Sequence, residues 1–213
     1  MRPRILAARR TLLVAAMTLA AAVSLTPLVA SSTPAVGQSA PAFSGIDTAG
    51  QKVSLEQYRG KIVVLEWTNP ECPFVQKHYG SGNMQALQKE ATAKGVVWLS
   101  IYSSAPGQQG YVHAAEADRL TKDRDAAPTR VLLDPTGEIG HLYNARTPPH
   151  MYVVDPAGRL VYMGGIDDKP TTSKSDVKGA TNYVRAALQD LAAGRTVATP
   201  VTRPYGCSVK YSS

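Results

Sequence analysis

The chain has 213 residues, 44% of them hydrophobic and 18% charged, with two cysteines and a formal net charge of +7. That length supplies one full hydrophobic core and does not call for a second domain. Four arginines and no acids lie within residues 1–30, so without them the charge falls from +7 to +3. No basic helix or arginine-rich tract follows, and nucleic acid is not an expected partner.

Arg2, Arg4, Arg9 and Arg10 precede an uncharged apolar run from about Thr11 to Ala30, followed by small and breaker residues through Ala35. That order reads as a secretory signal, with the cut after Ala30 or Ala35. Arg9-Arg10-Thr11-Leu12-Leu13 also loosely fits a twin-arginine export signal. Left uncleaved, the run is almost long enough to span a bilayer and would tether the protein to a membrane. The expected location is periplasmic or extracellular, where a disulfide persists. Three segments follow: residues 1–35 as signal and linker, 36–195 as one domain, and 196–213 as a tail.

A turn at Thr48–Gln51 and a short helical piece at Leu55–Tyr58 lead to Ile62–Trp67, apolar on both faces as in a central parallel strand. Helical pattern runs from Cys72 to about Lys94, interrupted at Gly80-Ser81-Gly82, and Val96–Tyr102 is a second apolar strand. A polar loop, Ser103–Gly110, precedes a helix from Tyr111 to about Arg124. A short strand at Val131–Asp134 and a helical turn at Glu138–Tyr143 come next. Met151–Val154 and Leu160–Met163 form a hairpin around Asp155-Pro156-Ala157-Gly158. Val177, Ala180, Val184, Ala187, Leu188 and Leu191 mark a last helix, capped by Ser175 or Asp176 and stopped at Gly194. The order implies an α/β fold, thioredoxin-like, with a central mixed sheet flanked by helices.

Cys72 stands between the strand ending at Trp67 and the helix opened by Pro73. A thiol at the first turn of a helix feels its positive end, which favours the nucleophilic thiolate. The segment from Glu66 to Val75 resembles the active-site stretch of thioredoxin-like proteins, with Cys72 on the attacking cysteine and Val75 where the second would stand. Glu66 matches their buried acid. In an apolar strand it would be desolvated and suited to moving protons; at the strand's end it would instead find solvent or a lysine. Thr147-Pro148-Pro149-His150 resembles the cis-proline loop, with Pro149 bordering a groove for an extended substrate, or alternatively a plain trans turn. His150 would point toward the site or into solvent. Pro73 and Phe74 would line the substrate groove. Trp67 would wall the site or pack in the core, and His78 reads as a surface or capping residue. His113 and His141 have no company suggesting a metal, and no cofactor is expected.

Peroxiredoxins share this fold, but their signature proline and Thr/Ser are replaced here by Leu65 and Asn69. Arg146 lies near, not at, the place of their arginine. From about Gly37 onward, the chain resembles the peroxiredoxin-like AhpC/TSA-type redoxins with a lone site cysteine. The matching features are Gly165-Ile166-Asp167-Asp168 and the tail block Tyr205-Gly206-Cys207-Ser208. The resemblance implies an antioxidant or oxidoreductase acting on a disulfide or peroxide and restored by an external thiol reductant.

About a dozen residues separate Gly194 from Cys207, enough to extend roughly 40 Å, while a domain of this size has a radius of gyration of about 16 Å. Cys207 can therefore reach Cys72. A bond between them would act as a resolving disulfide or as an inert staple worth about 5 kcal/mol. The rival reading is a redox-inert peptide-binding module in which Cys72–Cys207 only tethers the tail. Copper(I) binding by the two sulfurs lacks a supporting Met- or His-rich tract.

Overall fold

The computed structural model describes residues 33–212; the segment read as an export signal, residues 1–30, lies outside the described residues. Seven strands form one sheet: β1 (Ser44–Asp47), β2 (Lys52–Ser54), β3 (Val63–Trp67), β4 (Val97–Tyr102), β5 (Arg130–Leu133), β6 (His150–Val154) and β7 (Leu160–Gly164). The helices are α1 (Pro73–Gly80), α2 (Asn83–Ala93), α3 (Ala114–Asp123), α4 (Glu138–Leu142) and α5 (Tyr183–Ala192). Strand order is β2-β1-β5-β4-β3-β6-β7. Strands β3, β4 and β5 are parallel, whereas β6 and β7 run antiparallel to their neighbours. This is a thioredoxin-like α/β fold.

Every residue of β3 is buried, because the strand is paired on both edges and covered on both faces. Alternation sorts its side chains. Val63, Leu65 and Trp67 join one core with Tyr143 and Tyr152; Val64 joins a second with Cys72, Val75, Trp98 and Met151. Trp67 packs against Tyr143 and Tyr152 at ring separations of 5.4 and 5.2 Å. Its indole N–H donates to Ser103 Oγ at 3.0 Å. It is a core residue.

Two departures from the sequence reading have local causes. The turn at Thr48–Gln51 joins strands β1 and β2, which extend the sheet beyond β5. These strands are three or four residues long and bury one residue each, so they lack the apolar alternation that marks the others. The last helix begins at Tyr183, not near Val177. Residues Lys174–Gly179 make a 3-10 turn with no buried residue, and Ala180 is extended. The Thr181 N–H is held by Asp168 Oδ1 at 2.9 Å, and Asn182 caps the helix by accepting from the Arg185 N–H.

The tail contacts the domain at several points. Pro200–Thr202 pairs with Met163 at the free edge of β7 through bonds of 3.0 and 3.1 Å. Farther on, the Val209 N–H donates to Arg146 O and Lys210 O accepts from the Ala105 N–H, both at 2.8 Å. The Tyr211 hydroxyl donates to Ala145 O, and its ring stacks on His141 with centroids 4.0 Å apart.

Candidate functional site

The loop from Thr68 to Glu71 ends β3 and delivers Cys72 to the start of α1. Asn69 makes an Asx turn: its Oδ1 accepts from the Glu71 N–H at 2.9 Å and its carbonyl from the Cys72 N–H at 3.2 Å. The Pro70 carbonyl is held by Gln76 Nε2 at 3.1 Å and Arg124 Nη2 at 3.3 Å, while Glu71 Oε1 accepts from the Gly110 N–H. Cys72 is the N-cap and Pro73, which has no N–H to lose, is the first helical residue. The thiol thus sits where the unpaired amides of a helix begin.

Cys72 is 0% exposed. The tail lies against it. The Cys207 N–H donates to Cys72 Sγ at 3.3 Å, and Cys72 Sγ–H donates to the Pro148 carbonyl at 3.4 Å. Both cysteines are free thiols, with Cys207 half-buried. Burial above all, with the proximity of Cys72, pushes the Cys207 thiol up to about 12. The Pro148–Pro149 peptide is cis, as the cis-proline alternative expected, and Gly206 lies directly on the Pro148 carbonyl. The groove beside Pro149 is therefore occupied by the chain's own Tyr205-Gly206-Cys207. A cavity of about 600 Å³ opens next to it, bordered by Thr147, Asp167, Asp168 and Gly206. Another cavity, of about 470 Å³, lies between α2 and α5 and touches neither sulfur's surroundings.

Glu66 is fully buried and meets neither solvent nor lysine. Its carboxylate accepts from Tyr79 Oη at 2.9 Å, Gln88 Nε2 at 3.0 Å, Trp98 Nε1 at 2.7 Å and Ser100 Oγ at 3.0 Å. These neutral donors bind β3 to β4, α1 and α2 through one side chain. Neither sulfur is among its partners, so the geometry gives Glu66 a supporting role rather than a direct route for the thiol proton. Glu66→Gln turns one acceptor oxygen into a donor facing other donors. A loss of about 2–3 kcal/mol is expected, read as a lower urea midpoint; an unchanged midpoint would refute this account.

The other expected site residues divide. Pro73 is exposed beside Cys72, and half-buried Phe74 packs edge-on against Tyr205 with centroids 5.7 Å apart, so Phe74 borders the docked tail. His150 does not belong to this group. It opens β6 opposite Trp67, and alternation turns it to the face opposite Met151. There it is buried against Tyr152, with Nδ1 3.2 Å from the Tyr152 hydroxyl and accepting from the Arg146 N–H at 3.3 Å. It is neither solvated nor at the sulfurs. The Arg146 side chain is engaged with Asn144 Oδ1 at 2.8 Å.

His78 also corrects the sequence reading: it is buried, not a surface cap. Lys77 beside it is 1% exposed. Consecutive burial of Val75 and Lys77–Tyr79 breaks the one-faced pattern of a surface helix, because the segment after β7 and the tail cover a second face of α1. No periodicity marks that. The Ile166-Asp167-Asp168 segment and the tyrosine-flanked tail were the available signals.

Burial lowers both His78 and His150 to about 4, aided at His150 by Arg146; at His78, Asp167 opposes the effect and Lys77 adds to it. Unfolded, each ring binds a proton at about 6.5. The unfolded chain therefore holds more protons between these values, and stability falls as pH drops from about 6.5 toward 4. A loss on the order of 2–3 kcal/mol per ring by pH 4.5 is expected. Urea midpoints at pH 7 and 4.5 should differ accordingly, and less so in His150→Gln; equal midpoints would refute the assignment.

No curated protein matches the chain. Among solved structures, an uncharacterized conserved protein from Geobacillus kaustophilus is similar at a TM-score of 0.71 and 26% identity, over 84% of this chain and 93% of that one. A hypothetical protein from Sinorhizobium meliloti 1021 gives 0.71 at 20% identity, over 85% and 97%. A candidate thiol:disulfide interchange protein, DsbE, from Chlorobium tepidum shares the fold at 0.50 and 21% identity, over 62% and 85%. The AhpC/TSA family model matches residues 36–163, more than half of the chain, and the protein belongs to that family.

Proposed function

We propose that this chain is an exported thiol–disulfide oxidoreductase, made of a signal and linker (1–35), a redoxin domain (36–195) and a resolving tail (196–213). The carrying observation is the Cys207 N–H resting 3.3 Å from Cys72 Sγ, across 135 residues of sequence. The export segment comes from the sequence pattern, and with it a periplasmic or extracellular setting that tolerates disulfides.

In the first step the Cys72 thiolate attacks a substrate disulfide, forming a mixed disulfide and expelling the other substrate sulfur as a thiolate. Cys207, held beside Cys72 by the tail, gives up its proton in the second step. Its thiolate then attacks Cys72 Sγ, expels the remaining substrate thiolate and leaves a Cys72–Cys207 disulfide. An external dithiol reduces this bond and is itself oxidised by two electrons. With a peroxide as oxidant, Cys72 becomes a sulfenic acid while the leaving oxygen takes up a proton; condensation with Cys207 releases water.

Disulfide exchange has the better support. The described partners of Cys72 Sγ are the Pro148 carbonyl and the Cys207 amide, and Arg146 is turned to Asn144. The redox-inert module has less, because the groove it needs for a foreign peptide holds the tail. The test is turnover of a disulfide substrate with a thiol reductant by the full chain and by Cys72→Ser and Cys207→Ser. Retained wild-type turnover in Cys72→Ser removes the assignment.

A further inference from the structure

Cys207 reaches Cys72 only if the tail is held down, and among the tail's anchors one side chain enters a receptor of buried polar groups. Tyr205 stands two residues before Cys207 and inserts between α1 and the segment after β7. Its hydroxyl donates to Asp167 Oδ1 and lies 3.1 Å from His78 Nε2. Asn83 Nδ2 donates to His78 Nδ1 at 2.9 Å, which makes Nε2 the protonated nitrogen and the donor to Tyr205. The bonds therefore run in one direction, Asn83 to His78 to Tyr205 to Asp167. Asp167 is 2% exposed and is fixed in turn by the Lys169 N–H at 3.0 Å and by Lys77 Nζ 3.6 Å from its other oxygen. The Tyr205 ring meets Phe74 edge-on, and Lys77 Nζ lies 5.5 Å from the ring's centre.

This receptor is built almost wholly inside the domain, with buried charge that a free surface does not retain. Its one contribution from the tail is Tyr205. The bare receptor would leave Asp167 without its hydroxyl donor and His78 without its acceptor, so undocking Tyr205 is costly.

We propose that Tyr205 is the positioning residue of the tail: docked on His78 and Asp167 it holds Cys207 against Cys72, and its release uncovers Cys72 for substrate. The inference rests on the thiol reading above for its purpose, but not for its test.

In a Cys207→Ser background Cys72 is the sole thiol, and its native-state alkylation by iodoacetamide reports how often the tail lifts. Tyr205→Phe keeps the ring on Phe74 and removes the two hydrogen bonds; Tyr205→Ala removes both. Alkylation is expected to rise about 10-fold in the first and on the order of 100-fold in the second. With both cysteines present, the Cys72–Cys207 disulfide at a fixed glutathione ratio should fall in the same order. A tyrosine that serves only global stability would lower the unfolding midpoint without moving alkylation under native conditions. Rates within about twofold of the Tyr205 protein, in variants that remain folded, overturn the proposal. Such a result leaves the redox assignment untouched, since that depends on turnover and not on access.

Discussion

Replacing Cys72 with serine is expected to lower disulfide turnover by at least about 10³-fold, because the variant loses the nucleophile while its surroundings persist. Serine is smaller, keeps a donor for the Pro148 carbonyl and still accepts from the Cys207 N–H, so the fold and the docked tail should survive. Cys207→Ser should behave differently. The first attack remains possible, so one equivalent of substrate is consumed and a mixed disulfide on Cys72 accumulates, visible as a mass adduct. Steady turnover then depends on the external thiol alone. Loss of the adduct on adding a dithiol would complete the assignment. If Cys72→Ser works at the wild-type rate, or if Cys207→Ser traps nothing, the two cysteines do not divide the labour in this way.

Gly206→Ala should have the second-largest consequence. Gly206 has φ +150, in the region that L side chains avoid. An added Cβ would lie 1.8 Å from the Pro148 carbonyl oxygen and 3.1 Å from that of Thr147. Both are backbone atoms, so the tail has to move rather than the obstacle. The displacement falls on the residue adjacent to Cys207. Removing a docked partner lowers its effective concentration, here by roughly 10- to 100-fold. The reduction potential of the Cys72–Cys207 pair should therefore rise by about 30–60 mV. Equilibration in glutathione buffers, with the disulfide quantified by mass, measures this. A potential within about 10 mV of the parent would mean that the close approach at Pro148 does not govern pairing.

These two variants probe features of different visibility in the sequence. Cys72 could be found from position alone, between a strand and a proline-opened helix, because local chain chemistry writes both elements openly. The same holds for β3, β4, β6 and β7, whose apolar runs report their burial, and for Pro149. Gly206 could not be read that way. Its demand comes from a carbonyl nearly 60 positions away in sequence, and glycine in a tail has many innocuous explanations.

Chain chemistry along short stretches accounts for the α/β order, the nucleophile, the loop facing it and the presence of a second thiol within reach. Three-dimensional packing settles the rest. It turns His150 to the far face, surrounds Glu66 with four neutral donors, and buries Lys77 and His78 under Asp167 and Tyr205. The reason is common to all three. A residue's own neighbours decide helix or strand and hence which side it faces, but its partners arrive from segments whose placement depends on the whole sheet and on where the last dozen residues come to lie.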